Sequence, residues 1–208
     1  MRPILLLAAC LAAGHAVADD APPSAAVAEP RRDEARIGGH AGGSAQGVVS
    51  VNVAAGSLNA QANVRAIAFG DAGAGASGVQ RVDAGAADRR RDATAHLGGG
   101  AFHGTQGIVG LNQAAGSANA QLNVLALAAS AGVDVLQQVD NLVLAGVAAP
   151  TESAGDPAAG TARAPLREAH IDGGAFGAPS GVVQINQTAG VGNASANAIV
   201  LHLPGGTR

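Results

Sequence analysis

The sequence predicts an all-β fold: a three-layer β-solenoid of stacked β-arch, cross-β-like repeats joined by flexible spacers. Three observations carry that reading. One unit of 22 residues occurs three times, its polar and apolar residues alternate with a period of two, and nine of the ten asparagines fall at three recurring places. Composition removes the obvious competitor. Of 208 residues 48% are apolar, yet 31 are Gly, about a quarter are Ala and only three are aromatic. Ala and Gly bury little surface and aromatics normally dominate core energetics, so an ordinary enzyme domain does not fit. Gly shows no three-residue period, which excludes collagen.

Charge points to no polyanionic partner. The formal net charge is −3 and only 13% of residues are charged; a basic, aromatic-interleaved footprint for nucleic acid is absent. The one dense basic run, Arg89-Arg90-Arg91, is flanked by Asp88 and Asp92 and reads as a solvated linker patch.

The chain opens as a secretory signal peptide does. Arg2 supplies the positive start, Ile4 to Ala13 the apolar stretch and Ala16-Val17-Ala18 the small-x-small cleavage signature. Cleavage after Ala18 removes Arg2 and no acid, leaving 11 − 15 = −4. Leu7-Ala8-Ala9-Cys10 also reads as a lipobox, but its apolar stretch is short for one. Without Cys10 the mature chain has no thiol chemistry. No later uncharged apolar run reaches the length of a membrane span.

The repeats follow. Gly47 to Ala68 reads GVVSVNVAAGSLNAQANVRAIA, Gly107 to Ala128 reads GIVGLNQAAGSANAQLNVLALA, and Gly181 to His202 reads GVVQINQTAGVGNASANAIVLH; the first two agree at 14 of 22 positions without a gap. A lead-in recurs too, Ala95 to Phe102 matching Ala169 to Phe176, with Arg36-Ile37-Gly38-Gly39 as its degenerate first copy. The expected organisation is signal peptide 1–18, disordered segment 19–36, repeat 1 at 37–70, spacer 1 at 71–96, repeat 2 at 97–130, spacer 2 at 131–170, repeat 3 at 171–204 and a tail, 205–208. Arg65 is the only Asp, Glu, Lys or Arg inside the three cores.

Each unit reads as strand, arc, strand. Val49, Val51 and Val53 share one face, and Asn59, Gln61 and Asn63 share another after the break. Gly56, Gly116 and Gly190 sit at the break, where glycine permits backbone conformations that other residues avoid. Asn is a poor strand former, and an unpaired buried amide costs about 1–3 kcal/mol. In-register stacking turns that cost into a gain, because each amide bonds its equivalent in the next layer. The expected ladders are Asn52/Asn112/Asn186, Asn59/Asn119/Asn193 and Asn63/Asn123/Asn197, with Gln61/Gln121 cut short by Ser195. For Asn59, beside the arc, turn chemistry is an equal alternative. Asn186-Gln-Thr188 and Asn193-Ala-Ser195 match glycosylation acceptors, read as coincidence because the other copies lack the hydroxyl residue.

A three-layer stack exposes unpaired backbone at both ends, and monomeric solenoids need caps. No terminal segment here reads as one, so self-assembly is expected. The alternative is a monomeric secreted β-solenoid adhesin or surface-binding module, its edges covered by Val133 to Val147, or a minor nucleating subunit of another protein's fibre.

The repeat, GVVxVNxAAGxxNAQxN, resembles that of the Fap functional amyloid subunits, the secreted biofilm fibres of pseudomonads and their relatives. The curlin repeat also uses spaced Gln, Asn and Gly, but with a spacing that fits less well. The resemblance implies export across the outer membrane through a pore, extracellular cross-β fibres, a role in biofilm matrix and a second fibre subunit as a partner. It assigns Asn52, Asn59, Gln61 and Asn63, with their counterparts, to the amyloid ladder. The Cys-x-x-Cys pair typical of the C-terminus of fibre-forming members is absent from this sequence.

Catalytic signatures are missing: no G-x-S-x-G, phosphate-binding loop or H-E-x-x-H occurs. No enzyme activity, cofactor or metal is expected. His96 and His170 recur near Asp92 and Glu168, but two histidines alone read as surface positions of a lead-in turn. Phe102 and Phe176 recur together and are expected to pack between layers.

Overall fold

The structure, a computed structural model, describes residues 31–69, 73–83, 90–129, 133–141 and 164–203. The expected signal peptide, Cys10, much of spacer 2 and the tail lie outside the described residues. Those residues form β1 (Arg31–Ile37), β2 (Gln46–Ala55), β3 (Ala60–Ala68), β4 (Ala74–Val82), β5 (Arg91–Leu97), β6 (Gln106–Ser117), β7 (Ala120–Ala129), β8 (Val133–Asn141), β9 (Arg167–Ile171), β10 (Ser180–Val191) and β11 (Ala194–Leu203).

Every pairing is parallel, and consecutive strands never pair with each other. Sheet A has the order β1-β5-β9, sheet B β10-β6-β2, sheet C β11-β7-β3, and sheet D contains β4 and β8. Sheet A packs on B and sheet D packs on C, while B and C face each other. The chain therefore crosses the sheets in turn and then begins the next layer. Layer 1 is β1 to β4, layer 2 is β5 to β8 and layer 3 is β9 to β11.

Register follows the repeat spacing. Asn52 pairs with Asn112, and Asn112 with Asn186, along sheet B. Sheet C sets Asn63, Asn123 and Asn197 side by side. A slip of one residue would turn every side chain to the opposite face, so the alternating pattern holds the register.

Repeat 2 is the middle layer. Its strands are covered on both faces and on both edges, and Leu111, Ala114, Leu122, Val124 and Leu125 are fully buried. Each inter-sheet space has its own chemistry. Between A and B, Ile37, Leu97, Val109 and Leu111 pack with the turn residues Ala101 and Phe102. Between C and D, Ala74 and Ala76 meet Leu122, Val124, Ala126 and Ala128. Gly78 leaves room there for Leu122, whose Cδ1 lies 2.9 Å from where a Cβ would stand. Small residues thus bring the sheets close, which replaces the aromatic core this composition lacks.

The turns stack as well as the strands. Phe102 N–H donates to Ala41 O and Phe176 N–H to Ala101 O, each at 2.8 Å. The Phe102 and Phe176 rings lie 5.1 Å apart and nearly parallel, and Gly42 in layer 1 leaves its place to the Phe102 ring.

Several segments differ from the sequence-based expectation. The segment 19–36, expected to be disordered, is strand β1 from Arg31 onward, because its degenerate lead-in still pairs in register with β5. The spacers, expected to be flexible, contribute β4, β5, β8 and β9. Arg91, expected in a solvated patch, is mostly buried and paired bidentately with Asp33. Asp92 is 5% exposed and accepts the Leu166 N–H at 2.8 Å. Of Val133 to Val147, considered as an edge cap, Val133–Asn141 pairs with β4 in sheet D against β7 and β11, and residues 142–147 lie outside the described residues. Among the described residues no helix is long and apolar enough to cross a membrane.

Candidate functional site

The polar columns between sheets B and C form the site. In the first column Asn112 Nδ2 donates to Asn52 Oδ1 at 2.9 Å, and Asn186 Nδ2 to Asn112 Oδ1 at 3.0 Å. In the second, Asn123 Nδ2 donates to Asn63 Oδ1 and Asn197 Nδ2 to Asn123 Oδ1, at 2.9 and 3.0 Å. These columns also bond across the sheet interface: Asn63 donates to Asn52, Asn123 to Asn112 and Asn197 to Asn186, at 2.8–3.0 Å. Backbone carbonyls of the facing sheet also accept: Asn112 gives its second amide hydrogen to Ala62 O, and Asn123 shares its two hydrogens among Asn63 Oδ1, Asn112 Oδ1 and Leu111 O. The result is one continuous amide lattice. Its central members are satisfied in every direction, which is what burial of an amide requires.

The third column does two jobs. Asn119 Nδ2 donates to Asn59 Oδ1 at 3.0 Å and Asn193 Nδ2 to Asn119 Oδ1 at 2.8 Å, as in a ladder. The same Oδ1 atoms accept the backbone N–H groups of Asn119 and Asn193, while Asn59 Nδ2 donates to Ala55 O and Gly116 O. Ladder and arc chemistry coexist in one side chain.

Gln61 Nε2 donates to Gln121 Oε1 at 2.7 Å. Ser195 stands at the third place and turns to Asn186 Oδ1 instead. Gln121 Nε2 finds Thr188 Oγ1 at 3.1 Å, so a residue of β10 ends the glutamine column. A further column lies on the opposite face of sheet B, where Gln187 Nε2 donates to Gln113 Oε1 at 2.9 Å and both reach carbonyls of sheet A. Sequence reasoning missed it, although Gln follows the column Asn in repeats 2 and 3.

Two glycine columns let the layers close. Gly56, Gly116 and Gly190 have φ of 101°, 107° and 131°. A Cβ on Gly56 would collide with Gly116 O, and one on Gly116 with Gly190 O. Gly47, Gly107 and Gly181 also have positive φ, and a Cβ on Gly107 would collide with Gly47 O and one on Gly181 with Gly107 O. Only glycine meets both demands. This second column was not singled out in the sequence, where its signal is the invariant first residue of the unit.

Arg65 lies in β3, in register with Leu125 of β7. Its guanidinium donates to Ser50 Oγ and Val49 O and lies over Gly110, whose missing side chain makes the space. Burial lowers its pKa from the ordinary value. His96 and His170 are in β5 and β9 rather than in a lead-in turn, and the acid beside them is Asp172, not Asp92 or Glu168. The Gly99 N–H holds the Asp172 carboxyl below the usual range; desolvation opposes it, and the hydrogen bond from His96 and the charges of His96 and His170 lower it further.

No solved structure matches the chain. The family described as functional amyloid protein FapB/FapC matches residues 15–204, nearly the whole of the 208-residue chain. That match covers all three repeats and both spacers. The chain belongs to the functional amyloid protein FapB/FapC family.

Proposed function

We propose that this chain assembles with copies of itself into extracellular cross-β fibres of a biofilm matrix, its three repeats forming a β-solenoid that continues from copy to copy. One contrast supports this reading above the rest. Asn112, Asn119 and Asn123 are sealed inside the stack at 0–1% exposure, whereas Asn52, Asn59 and Asn63 on one face and Asn193 and Asn197 on the other stay partly open. The open edges are β2 and β3 at one end and β10 and β11 at the other. A second copy supplies in-register partners for both.

The asparagines favour one polarity, although Gln61 donates to Gln121 in the opposite sense. In all three asparagine columns the donation runs from layer 3 to layer 2 to layer 1. Adding layer 1 of one copy to layer 3 of another continues that sense, and such a head-to-tail contact is open-ended. The ladder residues are then Asn52, Asn59, Gln61 and Asn63 with their counterparts, and Gly56, Gly116 and Gly190 are the arc glycines that permit close stacking. A capped monomeric adhesin is less well supported, since β8 lies beneath sheet C and, among the described residues, no strand pairs with those edges.

Thioflavin fluorescence of the full chain over time, with fibre diffraction of the product, tests the proposal. Growth with a lag and reflections near ~4.7 and ~10 Å are expected. A β-rich monomer that persists at high concentration, with and without seeds, overturns it.

A further inference from the structure

The geometry points to a divalent transition-metal site of the zinc class at His96, His170 and Asp172, joining layer 3 to layer 2. One ligand atom from each residue lies within 4.8 Å of the others. Asp172 Oδ1 stands 3.2 Å from His96 Nε2 and 3.0 Å from His170 Nε2. A tetrahedral ion with bonds of about 2.0–2.1 Å needs ligand atoms about 3.3 Å apart. Two edges of that figure are already present.

The backbone builds this arrangement. His96 and His170 are register partners in parallel strands β5 and β9, so their rings stack with centroids 5.6 Å apart and planes 12° from parallel. Asp172 follows β9, and its Oδ2 is tied to the Gly99 N–H at 3.2 Å, which presents Oδ1 to both rings. Gly98 stands opposite with no side chain; a Cβ there would run into Asp172 Oδ2 and His96 Cε1. His96 Nδ1 is buried without a partner, so that ring bonds only through Nε2. The His170 side chain is 55% exposed and has room to tilt and shorten the third edge.

The ligand set selects the ion. Two imidazoles and one carboxylate suit Zn²⁺ or Cu²⁺, while Mg²⁺ and Ca²⁺ demand oxygen ligands. The outward side stays open for a water as fourth ligand. Layer 1 carries Arg36 where layers 2 and 3 carry His96 and His170, and Gly38 and Gly98 stand where layer 3 carries Asp172, which fixes one ion per chain. Bound there, the ion ties the lead-in of repeat 3 to β5, so it stabilises the docking of layer 3. This inference does not depend on fibre formation and is read on freshly prepared, unassembled protein.

The test is calorimetric titration of the full chain with ZnCl₂ in a non-coordinating buffer. Expected are saturation at one ion per chain and a urea midpoint that rises with zinc. Exposed His170→Ala, which should fold normally, is expected to weaken binding more than about tenfold, and Asp172→Asn to do likewise while keeping its shape. His103→Ala is expected to bind as the parent does. Co²⁺ in place of Zn²⁺ should give the intense visible bands of a four-coordinate ion. Absence of binding, or binding that survives His170→Ala, overturns the site and reduces the cluster to an ordinary histidine–carboxylate contact.

Discussion

At the level of single residues, the middle layer concentrates the cost of change. Asn123 is 1% exposed, shares its two amide hydrogens among Asn63, Asn112 and Leu111 O, and accepts from Asn186 and Asn197. Asn123→Ala strands several buried groups at once and is expected to cost about 3 kcal/mol, against about 1 kcal/mol for Asn63→Ala in the outer layer. Urea unfolding of the two variants checks the difference; equal losses would mean the lattice does not act through burial. Gly116→Ala meets both a positive φ and the Gly190 carbonyl. It is expected to undock layer 3 or cost more than about 3 kcal/mol. Gly38→Ala, which points into open space, is expected to change stability by less than about 0.5 kcal/mol.

At the level of elements, the strands outside the repeated unit bring the surprises. β1 and β5 carry charges, and charge in an Ala/Gly-rich stretch reads as linker. What reverses the reading is a pairing between residues 58 apart: Arg91 with Asp33, whose side chains are 13% and 4% exposed. No local pattern announces a partner at that distance. Arg91→Ala leaves Asp33 as an uncompensated buried charge and is expected to cost about 3–5 kcal/mol. Adding Asp33→Ala should restore much of the loss in thermal unfolding; a double variant as unstable as the single one would show that the carboxylate is not the cause. Sheet D was equally hidden. β4 reads AGASGVQRV, and its Ala74 and Ala76 become core only because Leu122 and Val124 lie opposite.

For the whole molecule, the columns define a test of assembly. Replacing Asn52, Asn112 and Asn186 together by Asp puts carboxylates on neighbouring strands about 4.8 Å apart. Like charges that close raise the carboxyl pKa above its unfolded value. Stability from stacking is then present at low pH and lost as pH rises through the raised pKa. No thioflavin signal is expected at pH 7, with recovery below about pH 4. Normal assembly of this variant at neutral pH would remove the ladder from the mechanism.

Sequence alone determined the all-β class, the three units and their spacing, because a period of two and recurring Asn are local signals that survive in one dimension. The strand registers reproduce the 60- and 74-residue offsets read from the alignment of the units. Tertiary structure decided the rest. Which repeat is buried in the middle, that spacer strands add sheets A and D, that Thr188 ends the Gln61–Gln121 column, and that Asp172 rather than Asp92 or Glu168 meets the two histidines all depend on contacts between distant segments. Those contacts exist only once parallel pairing has closed the long intervening loops, and the residues that make them carry no mark of it in their neighbours.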